Sequence, residues 1–121
     1  MSALSRLPLV LGSLLLLTAC GGESKHDIYM EALKIEGEAS RGVCKLHFGD
    51  GQTMQAISGD RVQECLREVE AALKLYDKAA AMGMAEPDFK TNHARAKERK
   101  AHQEQMLTQI RTMEREQTAA K

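Results

Sequence analysis

The sequence contains few aromatic residues and no excess of either charge. Its 121 residues include two Phe, two Tyr and no Trp, so aliphatic and methionine side chains must build the core. The 17 Lys and Arg residues balance the 17 Asp and Glu residues, so no net field attracts nucleic acid or an acidic substrate. Because single-stranded nucleic acid binds on aromatic stacking platforms, the sequence predicts no nucleic-acid partner.

The patterns of catalytic and metal sites are also absent from the sequence. It has no G-x-S-x-G, S-x-x-K or H-E-x-x-H segment. His93 and His102 are nine residues apart, so on one helix they point to opposite sides and cannot share a metal. Cys44, His47 and Cys65 offer three ligands with no obvious fourth, which is a poor zinc set. We therefore predict no catalytic residues, no metal and no cofactor, and we expect each histidine to be an exposed surface residue.

The start of the chain has the three-part organisation of a secretory signal. A short segment with one positive charge, Arg6, precedes the leucine-rich run 7–17, which is too short to span a bilayer as a helix. That run ends in Leu17-Thr18-Ala19-Cys20. This ending resembles the lipobox of bacterial lipoproteins, in which the cysteine thiol is lipidated and the chain is cut just before it. The resemblance implies a cleaved signal peptide at 1–19. An ordinary signal peptide with a chance cysteine is the alternative.

The resemblance also has implications for the location of the protein. It implies acyl chains, palmitate among them, on Cys20, and two or more such chains anchor a protein stably. In this family an aspartate after the cysteine tends to retain the protein in the inner membrane, whereas Gly21 stands here. The implied location is therefore the outer membrane of a bacterial cell envelope, facing the periplasm. Residues 20–26 would form the lipidated tether.

Two cysteines, Cys44 and Cys65, remain after Cys20 is assigned to lipid. An even pair in an oxidising compartment predicts one disulfide bond. The bond would close a loop of about 20 residues, which stabilises the fold by roughly 3 kcal/mol through lost entropy of the unfolded chain.

The residues after the signal fit one small domain over 27–117 that is mainly α-helical, with about three helices and a small β-hairpin. Apolar residues at helical spacing predict helices over 27–40, 62–82 and 87–117. Asp27 and Asp60 are the predicted N-caps, and Pro87 suits a first helical turn. Gly42 and Gly83 are the predicted helix ends.

A hairpin near 43–57 is predicted between the first two helices. Cys44, Leu46 and Phe48 alternate with polar residues, which is typical of a half-buried strand. The Gly49-Asp50-Gly51 turn follows, and its residues tolerate positive φ. At the other end of the domain, residues 118–121 are expected to fray.

The last predicted helix is polar in its middle and has an apolar patch near its end. The possible partner surface combines basic and apolar residues of this helix: Arg95, Arg99, Lys100, Leu107, Ile110 and Met113. The basic residues either lie against the acidic first helix or dock on anionic lipid or an acidic partner. The apolar patch either closes the core of the domain or binds a partner.

These features predict a lipid-anchored periplasmic lipoprotein that serves as a non-catalytic interaction or accessory subunit of an envelope assembly. Its predicted partners are the membrane, through the lipid, and an envelope protein. The alternative is a structural envelope lipoprotein that forms a homo-oligomer through its last helix. A metal-binding protein or an enzyme is the less favoured reading.

Overall fold

The structure is a computed structural model, and it describes residues 22–45 and 57–120. These residues form three helices, α1 (Lys25–Arg41), α2 (Gly59–Ala81) and α3 (Pro87–Ala119). α2 packs against both other helices. Tyr29 near the start of α1 lies beside Tyr76 near the end of α2 and Phe89 at the start of α3, so α1 and α3 run parallel and α2 runs opposite to both. The predicted mainly α-helical fold is confirmed.

The hairpin predicted near 43–57 lies mostly outside the described residues. Of its predicted first strand, Val43, Cys44 and Lys45 are described, and Val43 and Cys44 form a turn after α1. The Cys44 backbone N–H donates to the Ala39 carbonyl at 2.8 Å, so this segment continues from the helix end. The hairpin is therefore not confirmed, because residues 22–45 and 57–120 contain no strand.

The N-caps of the first two helices are serines, which stand before the predicted aspartates. The Ser24 hydroxyl accepts from the Asp27 N–H at 3.1 Å, and the Asp27 carboxylate accepts from the Ser24 N–H at 3.3 Å. This reciprocal pair is a capping box, so α1 takes in two residues that the sequence assigns to the tether. Ser58 likewise accepts from the Arg61 N–H at 3.2 Å. Asp27 and Asp60 lie in the first turns, where their charges favour the positive helix end.

The connection between α2 and α3 confirms the local predictions. Gly83 has a φ of 93°, a conformation that L side chains rarely adopt. The N–H groups of Gly83 and Met84 donate to the carbonyls of Ala80 and Ala79, which is the Schellman arrangement. Pro87 is the first residue of α3. At its other end α3 reaches Ala119, inside the tail that was predicted to fray.

α3 packs along most of its length against α2 through a stripe that repeats every seven residues. Its buried residues are Phe89, Ala96, Gln103 and Ile110. The buried residues of α2 repeat in the same way, with Val62, Val69 and Tyr76 in one row and Cys65, Ala72 and Ala79 in another. A seven-residue repeat keeps one stripe of a helix facing its neighbour, as in coiled coils. None of the described helices is long and apolar enough to span a membrane.

The three helices meet in an aromatic cluster at the end where α1 and α3 begin. The Phe89 ring packs edge-on against Tyr29 at a centroid distance of 5.2 Å and lies 6.0 Å from Tyr76. Asn92 adds a polar link, because its Nδ2 donates to the Tyr29 hydroxyl at 2.8 Å. One ring from each helix therefore closes this end of the core.

A polar clasp holds the other end, where α2 begins and α3 approaches its end. The Glu114 carboxylate accepts from the Gly59 N–H at 2.6 Å, so α3 supplies a cap to the first residue of α2. Arg111 bridges Asp60 at 2.9 Å and Glu114 at 3.3 Å. A Cβ on Gly59 would lie 2.8 Å from the Arg111 guanidinium, so glycine leaves room for this bridge.

Candidate functional site

The predicted disulfide is present and lies between α1 and α2. Cys44 and Cys65 are bonded, with their Cα atoms 4.8 Å apart. Cys65 is fully buried on α2, whereas Cys44 is half-buried in the turn after α1. The bond therefore ties the end of α1 to the first half of α2. Cys20 and the predicted signal peptide at 1–19 lie outside the described residues.

The basic residues of the predicted partner surface have different surroundings. The Arg99 Nη1 lies 2.6 Å from the Glu36 Oε2, so this arginine joins α3 to the acidic first helix. Lys100 pairs more loosely with Glu104 along α3, at 3.7 Å. Arg95 is exposed. The contact of Arg99 with Glu36 is the intramolecular arrangement that the charge pattern allowed.

The apolar residues of that surface do not form one exposed patch. Ile110 is only 4% exposed and belongs to the stripe that packs on α2. Leu107 is half-buried, and Met113 is 42% exposed. Leu107 and Met113, three residues before and three residues after the buried Ile110, therefore remain partly accessible to solvent.

An open groove of about 880 Å³ runs along the last turns of α3. Its lining comes from α2 and α3: Gln63, Leu107, Thr108, Arg111, Glu114, Arg115, Thr118 and Ala119. Glu114 lies at Gly59, so the final residues of α3 extend past the start of α2. The groove therefore combines the half-buried Leu107 with charged side chains that the clasp already holds in place.

A smaller polar cavity of about 250 Å³ lies at the meeting point of the three helices, beside the disulfide. Its lining includes residues of α1, α2, α3 and the turn after α1: Glu36, Ala39, Ser40, Cys44, Glu68, Val69, Arg99, His102 and Gln103. The sequence did not point to this cavity, because each polar member alone is typical of a solvated helix face. Its members also lie far apart in the chain, since Glu36 and Arg99 are 63 residues from each other.

A buried tyrosine stands next to this cavity. Tyr76 is fully buried, and burial is the main reason why its pKa is raised well above the usual value of about 10. The nearby Glu36 carboxylate raises that pKa further, while Arg99 lowers it. The Tyr76 hydroxyl and the Glu36 Oε1 both lack a hydrogen-bond partner in good geometry within the described part of the chain. The phenol therefore stays protonated, and a slight rotation would let it donate to Glu36.

His93 is not the exposed residue that the sequence predicted. Its side chain is 15% exposed, and its ring stacks on Tyr76 at a centroid distance of 5.9 Å. Its Nε2 lies 2.7 Å from the Asp77 Oδ1. The prediction was wrong because His93 stands beside the stripe of α3 that faces α2. Across residues 22–45 and 57–120, no group of three or more His, Cys, Asp and Glu side chains has metal-site geometry.

Comparison with known proteins finds no matching family model, no similar curated protein and no similar solved structure. Among residues 22–45 and 57–120, the groove at the end of α3 and the polar cavity beside the disulfide each have room for another molecule.

Proposed function

We propose that this chain is a lipid-anchored periplasmic lipoprotein that binds an envelope protein through the groove at the end of α3. The groove carries the proposal, because it offers an open surface between the last turns of α3 and the start of α2, where contacts of Glu114 with Gly59 and of Arg111 with Asp60 hold the two helices together. Rigid helical surfaces with mixed apolar and charged side chains suit protein partners. The role is that of a non-catalytic accessory subunit.

The position of the groove supports a protein partner over lipid head groups. Three residues separate Cys20 from the N-cap Ser24, so a lipid on Cys20 would hold the start of α1 within about 15 Å of the bilayer. α3 runs parallel to α1, and its 33 residues give a helix about 50 Å long. The groove lies at the far end of that helix, so the anchor would allow it to reach away from the membrane.

Replacing Cys20 with serine is expected to abolish lipidation, because a hydroxyl cannot take the place of the thiol that receives the lipid. The measurement is incorporation of labelled palmitate by the full chain in a bacterial host, together with membrane fractionation. The Thr18→Ser variant is the matched control and should be labelled like the wild type. Absence of label from the wild-type protein would contradict the anchor.

A glutamate in place of Leu107 is expected to disrupt partner binding at the groove, because it places an unpaired charge at the centre of the contact. A photoreactive residue in place of Thr108 in the full-length chain should cross-link in cells to one discrete envelope protein. Adding Leu107→Glu should reduce that product at least tenfold. Gln105→Glu, an exposed change on the same helix, should leave it intact.

The products of that experiment separate the two functional hypotheses. A cross-link of the chain to a second copy of itself would favour the self-associating structural lipoprotein and overturn the accessory role. Absence of any product from position 108 would contradict the use of the groove. Point substitutions are preferable to removal of α3, because Phe89 and Ile110 are part of the core.

A further inference from the structure

We propose that the Cys44–Cys65 bond is a redox-sensitive latch for the end of α1, opened when the thiolate of a dithiol reductant attacks the Cys44 sulfur. This inference depends neither on the lipid anchor nor on the groove, which lies between the last turns of α3 and the start of α2. It rests on the unequal exposure of the two cysteines, on the sparse packing at the end of α1 and on the contacts that hold the rest of the bundle.

The two cysteines differ in their access to solvent. Cys65 is 0% exposed, whereas Cys44 is half-buried and lines the polar cavity. Thiol–disulfide exchange requires that the attacking thiolate reach a sulfur of the bond. Cys44 is therefore the cysteine at which a reductant attacks, and Cys65 is the one that leaves.

The second half of α1 is packed more sparsely than the first. Only Ala39 is buried there, whereas the first half buries three residues, Ile28, Tyr29 and Ala32. The cavity of about 250 Å³ lies against Ala39, so this end of α1 does not pack fully on its neighbours. Gly37 carries the conformational cost of a glycine within a helix. A segment with few buried contacts opens locally at a low free energy.

Few other contacts join the end of α1 to α2. The N–H groups of Gly42 and Cys44 donate to the Ala39 carbonyl at 3.1 and 2.8 Å, so these hydrogen bonds stay within the segment. Arg61 of α2 donates to the Lys45 carbonyl at 3.5 Å, which is long for a hydrogen bond. Within the described part of the chain, the disulfide is therefore the main tie between this segment and α2.

The contacts that hold the remaining bundle do not involve the bond. Glu36 pairs with Arg99 at 2.6 Å and so fixes the middle of α1 to α3. The aromatic cluster joins all three helices at the start of α1, and the clasp of Arg111 and Glu114 joins α3 to α2. Breaking the disulfide should therefore release residues 37–44 while the rest of the bundle stays folded.

The exchange proceeds in two balanced steps. The first thiolate of the reductant bonds to the Cys44 sulfur as the S–S bond breaks, and the Cys65 thiolate leaves and takes up a proton from water. The second thiolate of the reductant then attacks the mixed disulfide, which releases Cys44 as a thiol and leaves the reductant as its own disulfide. The Cys44–Cys65 bond gains two electrons and two protons, which the dithiol gives up.

The site of attack is tested with glutathione as the probe and the full chain in detergent. The reaction is stopped early with acid, free thiols are blocked with N-ethylmaleimide, and peptide mapping locates each label. The product of a single exchange should carry glutathione on Cys44 and N-ethylmaleimide on Cys65. Equal labelling of the two cysteines, glutathione mainly on Cys65, or an adduct that forms only in urea overturns the proposal.

Hydrogen exchange tests whether the release is local. In the oxidised chain, residues 37–44 and residues 90–96 of α3 should both be protected. After reduction with dithiothreitol, residues 37–44 should exchange within about tenfold of the free-peptide rate, whereas residues 90–96 should keep at least about a hundredfold protection. The double variant Cys44→Ala and Cys65→Ala is the control, and it should show the reduced pattern with or without dithiothreitol. Retained protection of residues 37–44 after reduction, or loss of protection in both segments, overturns the proposal.

Discussion

Replacing Phe89 with alanine is expected to lower the free energy of unfolding by about 3–5 kcal/mol. Phe89 is 1% exposed and contacts the rings of Tyr29, Tyr76 and His93. Truncation would remove its apolar area from the core and leave a cavity where all three helices meet. A small domain has about 5–15 kcal/mol of total stability, so much of it would be lost.

Urea unfolding followed by circular dichroism measures this effect. Phe89→Leu retains most of the volume and should cost less than about 1.5 kcal/mol. Met30→Ala removes a side chain that is 62% exposed, so it should stay within about 0.5 kcal/mol of the wild type. A Phe89→Ala protein as stable as Met30→Ala would show that the aromatic cluster does not hold the helices together.

Removing the disulfide by the double substitution Cys44→Ala and Cys65→Ala is expected to cost about 3 kcal/mol. The bond joins residues that are 21 apart in the chain and so restricts the unfolded state. In the folded state it holds the turn after α1 against α2, where Cys65 is fully buried. The double substitution avoids an unpaired thiol in the core, although the loss of buried sulfur contributes to the measured change.

Reduction of the wild-type protein provides the matching measurement without a substitution. Dithiothreitol should lower the urea midpoint of the wild type and leave that of the double variant unchanged. Equal midpoints for the oxidised and reduced wild type would show that the bond contributes no stability. A large effect would mean that the domain reaches full stability only in an oxidising compartment.

Local sequence signals predicted the helices well because the constraints that end or start a helix act within a few residues. The missing N–H of Pro87 and the positive φ of Gly83 belong to single residues, so they could be recognised without any knowledge of the fold. The predicted N-caps, Asp27 and Asp60, were wrong by three and two residues, because serine and aspartate both cap helices and each helix has a serine just before the aspartate. In α1, the two hydrogen bonds between Ser24 and Asp27 show that Ser24 is the N-cap and that Asp27 is the third residue of the helix, which bonds back to it.

Packing between distant helices set the features that sequence patterns could not predict. Ala96 and Gln103 occupy two of the four buried positions of α3. Because alanine is small and glutamine is polar, the sequence of this stripe resembles that of a solvent-exposed helix face. His93 becomes half-buried only because α2 brings Tyr76 against it. A side chain is buried when a neighbour covers it, and no pattern within α3 specifies which neighbour that is.

The same distinction applies to the whole molecule. Helix positions follow from the amino-acid order, because backbone preferences act within a few residues. The Cys44–Cys65 bond was predicted on the assumption that Cys20, the third cysteine, carries lipid. The polar cavity, the cross-helix clasp of Glu114 and the accessible face of α3 depend on contacts between residues far apart in the chain. Those contacts form only when three apolar stripes pack together, because burial and hydrogen bonding are properties of the assembled bundle.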